Sequence, residues 1–388
     1  MTYRDNPFYA LVPKYQKFGG KNLPIPIIYG NPQGRSKTFS NAQARSTVTS
    51  TKIKDFVLTR VKDYSVATID GETLEASMGN ENAFMDAATT EIDGAIHSLT
   101  RSLAINIFRD SSSYIGQVAA TPPNSSGTFQ ITLKNIQDVT NFEVGQVLVV
   151  FSAKSGGVQR NSDGTAVTFP IVAVNRNTGV ITVSGTYSGS GTFAANDFIF
   201  VEGDRGNGIS GLEAWIPSSD PTSTPFFGVD RSVDVTRLGG LRLDATSLPI
   251  EEALIEADAT VAREGFSLTH FFMNHKQYGN LKKALGSKVQ YIDVQANARI
   301  SFRGVMVDGT RGPIKVIPDQ NCQADRIWGL NMDYVKLYSL GKPVRVIDAD
   351  GLSMLRQAAD DGVEVRYGFY GNLGFRAPGS AVNVQISA

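Results

Sequence analysis

Residues 206–211 read GNGISG, the GxGxxG spacing that lets a backbone turn approach a pyrophosphate at the start of a helix. A strand-like run at 198–202 precedes it, as that chemistry requires. The helix that must follow is cut short. Leu212-Glu213-Ala214-Trp215-Ile216 runs into Pro217, which lacks an N–H and clashes with the preceding turn. The glycines therefore read as a flexible linker rather than a phosphate cradle.

The other residues capable of chemistry are scattered. His270 and His275 are five apart, so they do not share a helical face as i, i+4 metal ligands do, and His97 stands alone. The single cysteine, Cys322, excludes an intrachain disulfide and a multi-cysteine zinc site, and reads as a small packed residue in a loop. Asp348-Ala349-Asp350-Gly351 begins like a calcium loop, but its glycine comes too early and no Glu stands at the twelfth position. A turn is expected there. No nucleophile elbow or Walker loop occurs, and no Cys/His pair has a suitable context. The sequence predicts no catalytic, cofactor or metal residues and no enzyme.

Charge placement says more. Lys+Arg and Asp+Glu each number 37, a balance that argues against coating nucleic acid and leaves little repulsion to oppose self-association. Residues 1–62 are strongly basic, with only Asp5 and Asp55 acidic, whereas residues 63–100 contain acids and no Lys or Arg. This block pattern predicts contacts between a basic loop (Arg35, Lys37, Arg45, Lys52, Lys54) and acidic helices (Glu81, Asp86, Glu91, Glu251, Glu252, Glu256), either within one chain or between copies of it.

The elements that would position these residues follow from periodicity. A length of 388 residues allows two or three domains with real cores. Residues 1–30, rich in Pro, Gly and aromatics, read as an extended arm lying on other surfaces. Residues 31–58 are polar and alternating, as in a long two-stranded loop. Residues 80–109 form a long helix on Phe84, Ala88, Ile92, Ala95, Ile96, Leu99, Leu103 and Ile107, with Gly94 marking a bend or a close contact. Residues 121–205 are rich in Gly, Ser, Thr and Val, with a hairpin turn at Thr178-Gly179, and predict a small barrel or sandwich. A helix from Ser247, its expected cap, to Arg263 and another at 274–285 come next. A compact β-rich unit at 302–347 and strands at 362–370 and 382–386 complete the chain. No signal peptide and no apolar run of about 20 residues is present, so a cytoplasmic chain without a membrane span is expected.

The strings GPIKVIPD, LN..YVKLYSLG and VEVRYGFYGNLGFRAPG within residues 304–379 resemble the C-terminal half of tailed-phage major capsid proteins of the Hong Kong 97 type. The order of elements is similar as well, apart from residues 121–205. The resemblance implies an α+β shell fold: N-terminal arm (1–30), extended loop (31–58), peripheral domain with spine helix (59–120), and an inserted all-β domain (121–205). It continues with the rest of the peripheral domain and link (206–301), an axial domain (302–347) and C-terminal strands returning to both (348–388). In that family, arm and loop reach neighbouring subunits.

The implied function is a major capsid protein assembling into hexamers and pentamers of an icosahedral head. Expected partners are further copies of itself, a portal protein, a separate scaffolding protein, a decoration protein and packaged double-stranded DNA, held non-specifically. The expected location is the virion, after assembly in the host bacterial cytoplasm. Two alternatives remain: an encapsulin-like shell around protein cargo, and a surface- or glycan-binding β protein built on residues 121–205.

Overall fold

The computed structural model describes residues 6–46, 50–72, 81–285, 291–297, 300–348, 351–352, 354–357 and 361–387, with the side chains of 81–88 and 291–304 excepted. The 13-residue strand Val363–Phe375 organises one end of the molecule. It pairs antiparallel with Val61–Ile69 along one edge, and with Val335–Ser339, Arg345–Val346 and Leu355–Arg356 along the other. Lys14–Tyr15 adds a sixth, parallel strand beside Leu337 and Tyr338.

The long helix Glu81–Asn106 lies on this six-stranded sheet, burying Ala95 and Leu99 against Ala67, Val365 and Tyr367. Twenty-six residues at about 1.5 Å each give it a length of about 39 Å. It runs unbroken through Gly94, where an added Cβ would meet nothing within 4 Å, so that glycine marks no close contact. The C-terminal end of the helix enters the main core, where Leu103, Ile107 and Phe108 meet Phe8, Trp215, Phe272 and Leu373.

A seven-stranded sheet forms the other end. Its order is Leu241–Asp244, Val382–Gln385, Arg326–Leu330, His270–Met273, Gly312–Pro318, Ile300–Gly309 and Tyr291–Asn297. Alternation along its strands divides two cores: Phe271 and Met273 face the helices Ile250–Arg263 and His275–Leu285, while Phe272 faces the main core. Ala253, Leu254, Ala257 and Val261 supply the apolar stripe of the first helix. That helix begins after Pro249, with no side-chain cap, so Ser247 does not cap it.

Several boundaries differ from the sequence reading. Residues 302–347 are not one compact unit: their strands up to Leu330 belong to the seven-stranded sheet, and those from Val335 onward belong to the six-stranded one. The 301/302 division falls inside the strand Ile300–Gly309. Residues 7–18 are not an arm lying on other surfaces. Phe8, Tyr9, Val12 and Phe18 are fully buried, because their apolar bulk completes the main core.

Strands Gly116–Gln117, Thr128–Thr132, Val147–Phe151, Phe169–Asn175, Val180–Ser184 and Phe198–Val201 make a third sheet. A bridge between Val118 and Leu133 joins its two ends, so the sheet closes into a barrel. Phe129, Phe169, Tyr187 and Phe193 fill it with aromatic contacts 5.2–5.7 Å apart, edge-on except for the tilted Phe129–Tyr187 pair. The barrel starts at residue 116 rather than 121, and Ile105 and Ile115 contribute to its core.

Candidate functional site

The extended loop is a ribbon in which Asn22–Gly30 pairs antiparallel with Lys52–Thr59, so its first strand comes from the segment assigned to the arm. Its base is anchored. Ile25, Phe56 and Leu58 are buried, and the Phe56 ring lies 5.1 Å from that of Trp215. Arg237 grips the middle, donating to the Tyr29 carbonyl at 2.7 Å.

Between the buried base and that grip Ile53, Lys54 and Asp55 are exposed, as is Lys52 opposite Gly30. Ile28 and Ile53 face each other across the ribbon while 63% and 53% exposed. Phe39, on the short helix Phe39–Ser46 that buries none of its residues, is 82% exposed. Large apolar side chains exposed on an element that buries little of itself make this end a candidate docking surface.

Arg35, Lys37 and Arg45 are also exposed at this end. Among the described residues, no ion pair within 4 Å joins Arg35, Lys37, Lys52 or Lys54 to an acid of the same chain. Of the acidic candidates, Glu91 is exposed on the long helix and Glu252 and Glu256 on Ile250–Arg263, while Glu251 is half-buried. Glu251 and Glu252 lie in the first turn of their helix, where its dipole favours them locally. The side chains of Glu81 and Asp86 lie outside the described residues.

A second cluster was not anticipated. Arg109, just past the long helix, donates to Asp138 of the barrel at 2.9 Å and to the Tyr114 hydroxyl at 3.1 Å. Tyr114 donates in turn to Glu213 at 3.0 Å, and Lys154 pairs with Glu213 at 2.5 Å and with Asp110 at 3.2 Å. Gln323 reaches Glu213 from the body at 3.3 Å, and its Oε1 accepts from Trp328. Burial raises the pKa of Asp138 against the opposing pull of Arg109. Burial, followed by the charge of Glu213, pushes Tyr114 up to about 12. Burial works against the charge on Lys154 too, but Tyr114, Glu213 and Asp110 more than offset it and raise its pKa. The network ties barrel to body. Its one sequence signal was charge set among apolar neighbours, as in Phe108-Arg109 and Asp138-Val139.

The 206–211 segment belongs to the same junction and is not a flexible linker. Ser210 N–H donates to Asn372 at 2.9 Å and Leu212 N–H to the Ile107 carbonyl at 2.8 Å. A Cβ on Gly211 would collide with the carbonyl oxygens of Asn106, Ile107 and Arg109. Gly211 permits close backbone packing, whereas Gly206 takes a turn conformation at φ +77°.

His270 is pushed down to about 4 by burial and by Lys315, and stacks on Phe272 at 5.9 Å. Cys322 is buried, which pushes its thiol well up. The Gly351 N–H donates to the Asp348 carbonyl at 2.9 Å, closing a turn whose residues 349–350 lie outside the described set. Among the described residues, no three His, Cys, Asp or Glu side chains converge as a metal group, and no helix is long and apolar enough to cross a membrane.

No protein-family model and no curated protein matches the chain. Among solved structures it is similar to the capsid of cyanophage A-1(L), at 12% identity over 98% of this chain and 92% of that one, with a TM-score of 0.49. It is also similar to the SrpI encapsulin of Synechococcus elongatus PCC 7942, at 7% identity over 98% and 86%, with a TM-score of 0.47. A virus-like particle protein from Pyrococcus furiosus is similar at 9% identity over 99% and 94%, with a TM-score of 0.41.

Proposed function

We propose that this chain is a shell-forming major capsid protein of a tailed double-stranded DNA phage, without catalytic activity. In this reading, hexamers and pentamers of the chain close into an icosahedral head. The observation that carries it is the ribbon. A base locked by Phe56 and Trp215 supports an outer half that presents Ile28, Ile53, Phe39 and exposed cations to a second copy. The 304–379 sequence strings and the long helix on a sheet containing Val61–Ile69 and Val363–Phe375 support the same reading. The portal, scaffolding and decoration proteins and the packaged DNA are part of this proposal, as is location in the virion after assembly in the host cytoplasm.

Sedimentation velocity tests it. Protein produced with its scaffold should sediment as particles far larger than the 41.8 kDa chain, with nuclease-resistant DNA in particles recovered from infected cells. A subunit that remains monomeric at high concentration and low salt would defeat the proposal. A second reading, an encapsulin-like shell, predicts particles holding a protein cargo instead.

A further inference from the structure

A small hollow lies where three parts of the molecule meet: the strand Val61–Ile69, the end of the long helix, and the chain leaving the barrel. Asp63, Ser102, Asn106, Ser113, Asp204 and Gly208 line it, and its volume is about 30 Å³, enough for one water-sized occupant. A larger groove of about 500 Å³ shares most of these residues and gives it a route from solvent.

The polar groups around the hollow are incompletely matched. Asn106 is 8% exposed, and its Oδ1 has no hydrogen-bond partner among the described residues. Its orientation is determined by the other end of the amide, since Nδ2 donates to the Ser102 carbonyl at 3.0 Å and a carbonyl can only accept. The bare oxygen is therefore the end left over. Asp63 accepts from Ser102 Oγ at 2.7 Å and retains further lone pairs. Burial and the nearby Asp63 charge push Asp204 up to about 6, and no hydrogen bond contributes to that shift. Lys62 also lines the hollow but is exposed.

We propose that this hollow binds one hard divalent cation, calcium or magnesium. Carboxylate oxygens of Asp63 and Asp204 and the amide oxygen of Asn106 would hold it, with hydroxyl or water oxygens completing the shell. Two carboxylates supplemented by neutral oxygens are the donor set such ions favour, and thiol or imidazole ligands are not needed. A bound cation would satisfy the orphaned Asn106 oxygen, relieve the repulsion between the two carboxylates, and pin the barrel exit to the long helix.

The test is calorimetric titration of the EDTA-dialysed full chain with calcium chloride and with magnesium chloride at pH 7.5, beside thermal unfolding with and without each salt. One ion per chain and a rise in unfolding temperature of several degrees are expected. Asp204→Asn should weaken binding at least tenfold and remove that rise, and Asp63→Asn should do the same. No binding by the unmodified chain at millimolar salt overturns the proposal, even where a variant fails to fold. So does an unchanged titration in a folded Asp204→Asn protein.

Discussion

Arg109 and Asp138 form an ion pair at 2.9 Å with side chains only 3% and 10% exposed, and this pair fastens the end of the long helix to the barrel. Desolvating both charges is costly, and their hydrogen bonds and mutual attraction return that cost only while both are present. Asp138→Ala should therefore destabilise the chain by about 3–5 kcal/mol by stranding Arg109. Chemical denaturation of both proteins measures the difference. A loss below about 1 kcal/mol, the range of an exposed pair, would show that water reaches the network.

The same pair changes what barrel removal should do. The composition shift and linker-like ends of 121–205 suggest that a deletion leaves the rest of the fold intact. Such a deletion, however, also removes Asp138 and Lys154, leaving Arg109 and Glu213 without their ion-pair partners. A Gly/Ser-linked deletion of 121–205 should unfold at lower denaturant than the parent, and adding Arg109→Met with Glu213→Gln should recover part of the loss. Equal stability of the two deletion proteins would contradict this account.

The N-terminal segment carries a pH signature. Asp319, 1% exposed, accepts the Phe8 N–H at 3.0 Å and the Asn321 N–H at 2.9 Å. Burial nevertheless outweighs these bonds and pushes its carboxyl up to about 6 from 3.8. The folded state thus holds the proton more tightly than the unfolded one. The stability this contributes is complete below pH 3.8 and is lost as pH rises through about 6. Thermal unfolding from pH 4 to 7 should show the parent losing stability relative to Asp319→Asn. Parallel profiles would refute the shift.

Gly211 should tolerate no side chain. Gly211→Ala would drive a Cβ into three backbone carbonyls, which cannot swing aside as a flexible side chain can. Overpacking of this kind costs about 1–3 kcal/mol. Gly206→Ala, where nothing lies within 4 Å, serves as the partner variant, though its φ of +77° adds some strain. Urea midpoints for the two variants should differ, with Gly211→Ala the lower.

The ribbon variants separate folding from assembly. Lys52→Glu with Lys54→Glu, and separately Ile28→Ser with Ile53→Ser, change exposed residues and should alter subunit stability by no more than about 0.5 kcal/mol each. Both pairs should lower particle yield, the first more strongly at low salt. Normal yield in both would mean that the outer ribbon is only a solvated surface.

Periodic elements were legible because burial imposes a period. The long helix, the strand pair at 175–180 and the helices ending at Arg263 and Leu285 all follow from apolar spacing. Features set by distant partners were not. Phe8 and Phe18 looked like arm residues because their core is built by Phe272 and Leu337, hundreds of positions away. Strands 326–330 and 335–339 are close in sequence but join different sheets, a choice made by Val384 and Leu373 at the far end of the chain. The Arg109 network draws on residues from 109 to 328, and the Asp63–Asp204 hollow joins carboxylates far apart in sequence. For the ribbon, the sequence showed cations, but not that the alternation of the strand leaves Ile27 inside and Ile28 outside.

Electron cryomicroscopy of particles assembled from the full chain tests the central claim most directly. The account predicts closed shells of hexamers and pentamers, with Ile28, Ile53 and Phe39 of each ribbon covered by an adjacent subunit. The absence of particles, or particles in which that outer ribbon stays bare or touches only its own subunit, would contradict it.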